Sequence, residues 1–216
     1  MTLLHPRGFL LVTGSCFLVL AAAAVVLGAF PADTALRDFV LGLASPPTLA
    51  LMRVVNYAGA WQLLLPGTLA LLVVFPGARR RWWLWIGLML AAPASEGLAK
   101  ALVGRPRPED VSWGFPSGHA TAAAAFFGAM IYLAGSLPPM ACRLVRGLSL
   151  AGMLLVAVAR VMLRAHWPSD ALAGLALGLS LATAAALIDI GGSGAGSDMR
   201  REPRPPRTPP AESPHR

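Results

Sequence analysis

The chain has 216 residues, of which 56% are hydrophobic and only 13% are charged, and its formal net charge is +8 at pH 7. A soluble domain carries about 25% charged residues, so this composition excludes an ordinary soluble protein. The positive charge comes largely from arginines in the tail and the loops. No basic patch is interleaved with exposed aromatic residues on a soluble fold, which argues against nucleic-acid binding.

The apolar segments predict an all-α membrane protein. A bilayer core of about 30 Å needs about 20 apolar residues in each helix. Six segments approach that length and predict a six-helix transmembrane bundle: residues 9–30, 61–75, 82–98, 119–137, 147–163 and 171–190. The second segment is the weakest, because Pro66 and Gly67 interrupt a run that is already short.

The first segment resembles a cleaved signal peptide in its position after Arg7. Its apolar stretch is too long for one and no good small-x-small site closes it, so a retained anchor is predicted. Residues 33–60 then mix charged with apolar residues, which predicts an interfacial amphipathic helix pair. Cys16 lies in the first helix and Cys142 in a predicted connection, and both are expected to be free thiols.

The composition changes abruptly at Gly191. A run of glycine, serine and alanine leads into a segment with six prolines and five arginines. Such a segment cannot bury enough apolar surface to fold. The sequence therefore predicts a membrane domain over residues 1–190 and a disordered cytoplasmic tail over residues 191–216.

The distribution of basic residues predicts the orientation in the membrane. With a cytoplasmic N-terminus and six helices, the inside segments hold eleven of the lysines and arginines and the outside segments hold seven. All six tryptophans lie in loops or near helix ends, as interfacial residues do. Both termini are thus predicted to be cytoplasmic, and the three motifs described next are predicted to lie on the outer, periplasmic or extracellular face.

The first motif joins Lys100 to Arg107 and Pro108 across six intervening residues, with a second Arg-Pro pair at Arg105. A lone lysine at a helix end is commonly a snorkelling residue. A proline-fixed loop with two arginines beside a lysine instead suits the oxygens of a phosphate, since arginine donates as a fork and lysine acts as a point charge. Glu96 lies one helical turn before Lys100, and we expect a structural ion pair between them.

The second motif is Pro116-Ser117-Gly118-His119 at the start of a predicted helix. Glycine permits a tight turn, serine can cap the helix, and the free amides at a helix N-terminus bind an anion. His119 viewed alone is equally an interfacial capping residue. Beside a phosphate-binding helix start, however, it is well placed to give a proton to a leaving oxygen.

The third motif is Arg160-x5-His166-x3-Asp170. Arg160 lies near the end of an apolar helix, where the cost of a charge indicates a functional partner. The Pro-Ser-Asp run predicts a helix start at Asp170, whose carboxylate can accept one ring N–H of His166 and leave the other nitrogen free to attack. The alternative is that Asp170 only caps the helix and His166 is interfacial. For Arg164 we expect no role in the chemistry.

Together the three runs resemble the signature of the type 2 phosphatidic acid phosphatase (PAP2) superfamily, written K-x6-RP, PSGH and SR-x5-H-x3-D. They occur in the family's order between residues 100 and 170, and the surrounding hydropathy pattern is similar to that of the family's six-helix membrane branch. One departure is Ala159, where the signature has serine, which removes one possible hydrogen bond to the phosphate. The resemblance implies a helical bundle of the PAP2/haloperoxidase-like type.

The resemblance also implies a role for each motif residue. His166 is the nucleophile that forms a phosphohistidine, Asp170 orients it, and His119 protonates the leaving oxygen and then activates water. Five residues bind the phosphoryl oxygens: Lys100, Arg107, Ser117, Gly118 and Arg160. No metal or other cofactor is implied. Two histidines and an aspartate are a conceivable zinc site, but three surrounding cations oppose a metal ion.

The implied partner is a phosphorylated lipid in the bilayer, whose phosphate is presented at the outer face. Phosphatidic acid, phosphatidylglycerol phosphate and undecaprenyl diphosphate all fit. The small size and minimal loops resemble those of bacterial members that act on the polyprenyl carrier, which favours undecaprenyl diphosphate, and the bacterial inner membrane is the expected location. Two alternatives are a lipid phosphotransferase with the same site and a non-enzymatic lipid transporter on the same scaffold. A vanadate-dependent haloperoxidase shares the signature, but the membrane composition argues against it.

Overall fold

The computed structural model describes residues 5–198, with side chains up to residue 191. Within these residues nine α-helices follow one another and there is no β-strand. The helices are α1 (Pro6–Leu27), α2 (Pro31–Gly42), α3 (Pro46–Asn56), α4 (Trp61–Val74), α5 (Pro76–Arg80), α6 (Trp82–Val103), α7 (Gly118–Leu133), α8 (Pro139–Met162) and α9 (Pro168–Asp198).

Five helices are long and apolar enough to cross a membrane, namely α1, α6, α7 with the turn that follows it, α8 and α9. They confirm the predicted all-helical membrane fold. The remaining predicted span is α4, which has only 14 residues and covers about 21 Å at 1.5 Å per residue. It ends early because Phe75, the residue before Pro76, is extended, as residues before proline usually are.

Although it is short, α4 runs from one end of the bundle to the other. Trp61, at its start, lines the same cavity as His119 at the start of α7. Leu71 and Phe75, at its end, pack in the apolar cluster that contains Trp85 near the start of α6. The chain therefore passes through the bundle six times, in α1, α4, α6, α7, α8 and α9.

The centre of the bundle is the contact between α7 and α9, where glycines let two backbones approach closely. Gly174 and Gly178 lie about one turn apart on the face of α9 that meets α7. A Cβ atom on Gly174 would stand 2.6 Å from the Ser117 carbonyl oxygen, closer than atoms can pack. Small residues at this spacing permit close helix packing in membranes. Here they fix the start of α7 against the start of α9.

The predicted helix pair between the first two spans is present as α2 and α3, which meet at an angle of 115°. By length and composition this bent pair also qualifies as one broken span. The Ser45 hydroxyl begins α3 by accepting the Thr48 amide at 3.3 Å. α2 is more than a surface helix, because its Asp33 is only 3% exposed and enters the interior of the protein.

Two helix boundaries differ most from the prediction. α8 begins at Pro139 rather than at residue 147, so Cys142 lies in a helix and not in a connection. α9 continues to Asp198, beyond the predicted boundary at residue 190. Residues 199–216 lie outside the described residues, and the division into a membrane domain and a tail stays a prediction. Cys16 and Cys142 are free thiols, as predicted.

Candidate active site

The three motifs meet at the end of the bundle where α7 and α9 begin. Lys100 lies in the last turn of α6 and Arg160 in the last turn of α8. His166 lies in the turn between α8 and α9. His119, at the start of α7, is within electrostatic range of these three residues and of Arg107. Residues far apart in the sequence thus share one location.

The loop between α6 and α7 carries Arg107 into this site. α6 ends at Gly104, which has φ +64°, in the left-handed region that glycine enters readily. The Arg107 amide donates to the Ser112 carbonyl at 3.1 Å. A Cβ atom on Gly114 would stand 3.1 Å from Asp170 Oδ2 and 3.2 Å from Arg107 Cγ. Glycine at this position therefore allows the loop backbone to pass between the two side chains.

The second motif starts α7 as predicted, with Ser117 at the N-cap position and Gly118 as the first helical residue. The predicted side-chain cap is wrong, because the Ser117 hydroxyl is buried and has no hydrogen-bond partner among the described residues. The Ser117 amide instead donates to the Asp170 carbonyl at 2.9 Å. An unpaired hydroxyl beside a helix N-terminus is a suitable place for an anion.

The third motif places His166 and Asp170 side by side, with Asp170 in the first turn of α9 as predicted. Asp170 Oδ2 lies 3.5 Å from His166 Nδ1, which is longer than a normal hydrogen bond. The same oxygen accepts the Trp167 amide at 3.0 Å. The two side chains are 2% and 0% exposed. Because Asp170 lies on the Nδ1 side of the ring, Nε2 of His166 is the nitrogen left for chemistry.

The surroundings of His166 favour the neutral imidazole. Burial is the largest effect and lowers the pKa of His166 below its ordinary value of 6.5. The positive charges of Arg160 and Arg107 lower this pKa further, while Asp170 acts in the opposite direction. The net pKa is lowered, so His166 keeps a free lone pair at neutral pH.

Arg107 and Arg160 retain donors for a ligand. The Nε atoms of both are buried and lack a hydrogen-bond partner among the described residues. Arg160 is held by Asn56 at the end of α3, whose Oδ1 accepts from Nη1 at 2.8 Å. No sequence pattern indicated Asn56, since the two residues are 104 positions apart.

Lys100 pairs with Glu96 as expected, with 2.5 Å between Nζ and Oε1. The Glu96 carboxylate also lies against the start of α7, because a Cβ atom on Gly118 would stand 2.8 Å from its Oε1. Glu96 therefore belongs to the site itself. The i,i+4 spacing revealed its partner, but it did not reveal this second neighbour.

Arg105 is held away from the other cations by its own partners. The sequence grouped it with Arg107 in a loop suited to phosphate. In the structure its guanidinium donates to Asp33 Oδ2 at 2.5 Å, to Asp170 Oδ1 at 2.9 Å and to Ser169 Oγ at 2.7 Å. Two carboxylates already neutralise this arginine, so grouping it with the phosphate-binding arginines was wrong. Asp33, its partner on α2, was not recognised from the sequence.

Ala159, where the family signature has serine, is fully buried in an apolar cluster with Met52 and Met162. A hydroxyl here would lie among methyl and thioether groups, where an unpaired polar group is costly. Alanine therefore suits its surroundings.

The rim of the site carries a set of ion pairs around Glu109. Glu109 pairs with Arg37 of α2 and with Arg164, whose Nη1 lies 3.1 Å from Glu109 Oε1. Arg37 also lies over the Trp167 ring, 5.7 Å from its centroid. The Arg164 side chain is 60% exposed, so this residue stands outside the buried cluster.

A cavity of about 840 Å³ opens beside His119, between α4, α6 and α7. Its polar end is lined by Asn56, Glu96, Gly118 and His119. Its walls are apolar and consist mainly of Leu64, Leu65, Ile86, Met89, Leu90 and Pro93. The cavity can therefore hold a molecule with one charged end and one apolar end.

Metal-ligating side chains do not cluster in the part of the chain whose side chains the structure describes. Within residues 5–191, no three histidine, cysteine, aspartate or glutamate side chains are grouped closely enough to hold a metal ion. The Asp170 oxygens are already bonded to Arg105 and to the Trp167 amide.

The fold is a helical membrane bundle, and one of its ends carries a buried histidine, basic side chains and an apolar cavity. These features are those of a membrane protein that acts on an anionic, partly apolar molecule. Comparison with known proteins identifies the family. The chain belongs to the PAP2 superfamily, whose family model matches residues 81–189. This confirms the resemblance carried by the three motifs, and the chain is a membrane lipid phosphatase of the PAP2 type.

The similarity extends beyond the motifs. The chain is 31% identical over 181 residues to phosphatidylglycerophosphatase B of Bacillus subtilis (strain 168), a match that covers 76% of this chain and 87% of that protein. Its fold is similar to the crystal structure of a transmembrane PAP2 type phosphatidylglycerolphosphate phosphatase from Bacillus subtilis. That match has a TM-score of 0.74 and 25% identity, and covers 89% of this chain and 98% of the other.

Proposed function

We propose that this chain hydrolyses a lipid phosphate at the outer face of the bacterial inner membrane through a phosphohistidine formed on His166. The observation that carries the proposal is that His119 lines the polar end of a cavity with apolar walls. The buried His166 and three basic side chains, Lys100, Arg107 and Arg160, lie within electrostatic range of His119. A lipid phosphate has the same division, because its phosphate is charged and its chains are apolar.

The phosphate binds at the start of α7 in this proposal. Lys100, Arg107 and Arg160 hold its oxygens, and the Ser117 hydroxyl and the Gly118 amide donate further hydrogen bonds. Support comes from the buried Arg107 Nε, Arg160 Nε and Ser117 Oγ, which have no partner in the described part of the chain. Buried donors without a partner are unfavourable, and a bound phosphate would satisfy them.

In the first step, Nε2 of His166 attacks phosphorus. The N–P bond forms, the bond from phosphorus to the lipid oxygen breaks, and His119 gives its proton to that oxygen. Asp170 holds the Nδ1 side of the ring and stabilises the positive charge that develops on it. The basic side chains stabilise the charge spread over the phosphoryl oxygens.

In the second step, water attacks the phosphohistidine. His119, now neutral, takes a proton from this water, the N–P bond breaks, and inorganic phosphate leaves. His166 returns to its neutral form and His119 to its protonated form, so the cycle closes without a metal ion or another cofactor.

Among the candidate lipids, phosphatidylglycerol phosphate is favoured, because the similar protein and the similar crystal structure are both described as phosphatases of this lipid. Phosphatidic acid and undecaprenyl diphosphate share the required charged end and apolar part. The cavity walls consist of aliphatic side chains and proline, which suits acyl and polyprenyl chains alike.

The experiment is phosphate release in detergent by the purified protein and by His166→Ala, with all three lipids and with EDTA present. We expect release by the wild type, loss of at least about 10³-fold in the variant, and the fastest rate with phosphatidylglycerol phosphate. Release that EDTA abolishes and zinc or magnesium restores would overturn the metal-free mechanism. If folded protein releases no phosphate but phosphorylates an added acceptor lipid, the chain is a phosphotransferase. If it neither releases phosphate nor phosphorylates an acceptor, a transporter is indicated.

A further inference from the structure

Arg105 and Asp33 belong to a buried polar network that reaches from α2 to the first turn of α9. Arg105 Nη1 donates to Asp170 Oδ1 at 2.9 Å, and Nη2 donates to Asp33 Oδ2 at 2.5 Å. Asp33 Oδ1 also accepts the Ser169 amide at 2.7 Å, and its Oδ2 accepts the Ser169 hydroxyl at 2.6 Å. The Arg105, Asp33 and Asp170 side chains are 2% exposed or less.

This network links its charges strongly because water is excluded from it. The Arg105 guanidinium lies 5.1 Å from the Phe30 ring centroid and 5.6 Å from that of Trp167. Charges buried in this way must be compensated by one another. One guanidinium faces two carboxylates, so Arg105 divides its positive charge between Asp33 and Asp170.

We propose that Arg105 and Asp33 are positioning residues that hold Asp170 and set how much of its negative charge acts on His166. The inference rests on the proposed function, in which His166 is the nucleophile. Arg105 and Asp33 have no described contact with His166 and act on it through Asp170. Besides Asp170 on α9, the charged or titratable groups that face His166 are Arg107 in the α6–α7 loop, His119 on α7 and Arg160 on α8.

Removing each partner should shift the titration of His166 in opposite directions. Arg105→Gln leaves the Asp170 charge uncompensated, which favours the protonated ring and raises the pKa of His166. Asp33→Asn leaves Arg105 to neutralise Asp170 alone, which lowers that pKa. A charge acting over several ångströms at an effective dielectric constant of about 20 gives a shift of about one unit. The double variant should titrate close to the wild type.

The experiment follows the His166 ring directly, by NMR of protein labelled with ¹³Cε1-histidine in detergent micelles. The signal is assigned by its loss in His166→Ala, and the pH profile of phosphate release is recorded in parallel. Two exposed residues provide matched controls, Asp38→Asn on the same helix as Asp33 and Arg164→Gln on the rim. Neither control is expected to shift the titration.

Opposite shifts of the His166 pKa in the two single variants would support the inference, because loss of structure alone would not shift that pKa in opposite directions. Shifts in the same direction, or no larger than those of the controls, would overturn it. If the single variants do not fold, the double variant and Arg105→Lys take their place. Both are expected to titrate like the wild type with slower phosphate release, and unchanged release would also overturn the inference. Opposite shifts in a protein that releases no phosphate would refute the proposed function but not the network.

Discussion

At the scale of single residues, the environment of His166 decides the pH at which it can react. A histidine attacks phosphorus only as the neutral imidazole. Burial and two neighbouring arginines lower its pKa below 6.5, so the neutral form persists at lower pH than for an exposed histidine. Stronger acid is then needed before the nucleophile is lost.

The acid limb of kcat/KM is therefore expected to lie below pH 6.5, where an unperturbed histidine is half protonated. A pH–rate profile of the wild type at constant ionic strength measures it. The ionisation of the substrate phosphate in the same micelles is measured by ³¹P NMR. The pH–rate profile is then corrected for the fraction of substrate in each ionisation state. A corrected midpoint at or above 6.5 would contradict a lowered pKa for the nucleophile.

Glu96 is the second residue whose charge has a testable effect. It neutralises Lys100 beside the start of α7. Of the three proposed phosphate-binding cations, Glu96 therefore compensates Lys100 but not Arg107 or Arg160. Glu96→Gln frees the charge of Lys100 and should favour a diphosphate over a phosphomonoester, because the diphosphate is more negative. An ion-pair change of about 1 kcal/mol corresponds to about a fivefold change in the ratio of kcat/KM values.

The measurement compares kcat/KM for undecaprenyl diphosphate and phosphatidic acid in Glu96→Gln and in the wild type. Glu109→Gln, which changes an exposed carboxylate on the rim, is the control and should leave the ratio unchanged. An unchanged ratio in Glu96→Gln would mean that this carboxylate does not influence the charge preference of the site.

The sequence predicted the motif residues of the site but not all of their partners. Short spacing indicates neighbours in space, as for Glu96 with Lys100 on one helix and for His166, in a turn, with Asp170 at the start of the next helix. Asn56 and Asp33 contact residues 104 and 72 positions away, and no local pattern records such a contact. The same limit explains the error about Arg105, whose two carboxylate partners come from other helices.

At the scale of helices, the close contact between α7 and α9 positions the site. Gly178→Ala is expected to destabilise the protein, because the new Cβ atom would overlap the Thr121 carbonyl oxygen and the Ala124 methyl group. Overpacking of this kind costs about 1–3 kcal/mol. Thermal unfolding in detergent measures the loss. The control is Gly87→Ala on α6, where no atom lies within 4 Å of the added Cβ, and an equal melting temperature for the two variants would contradict this account.

Hydropathy predicted which segments are helices better than where they begin and end. It placed six apolar segments correctly, because burial in a bilayer demands continuous apolar sequence. It missed the first turns of α8, because Arg143 and Arg146 interrupt the apolar run there. In the structure Arg146 lies in this part of α8, and its Nε donates to the Ile131 carbonyl at 3.1 Å. It also missed the packing role of Gly174 and Gly178, although their spacing is visible in the sequence.

At the scale of the whole molecule, the candidate site lies at one end of the bundle. The N-terminal end of α1 and the C-terminal end of α9 lie at the other end. α1 runs antiparallel to α9, and the Ser180 hydroxyl donates to Thr13 at 2.9 Å. Far from the site, Arg81 donates to the Ile188 and Asp189 carbonyls at 3.0 and 2.8 Å. A cluster of arginines at this end is typical of a cytoplasmic face.

The orientation can be tested by cysteine labelling in a background in which Cys16 and Cys142 are replaced by alanine. Ser112→Cys, in the loop beside the site, should react with a membrane-impermeant maleimide in intact spheroplasts. Gly77→Cys, at the arginine-rich end, should react only after the membrane is permeabilised. The reverse pattern would place the site in the cytoplasm.

The central claim is that His166 carries the phosphoryl group, and trapping that intermediate tests it most directly. The wild type, His166→Ala and His119→Ala are mixed with ³²P-labelled lipid phosphate, quenched in alkali, in which phosphohistidine is stable, and digested. We expect acid-labile label on the peptide that contains His166, none in His166→Ala, and slower labelling in His119→Ala. Phosphate release without label on this peptide, or label on another residue, would contradict the account.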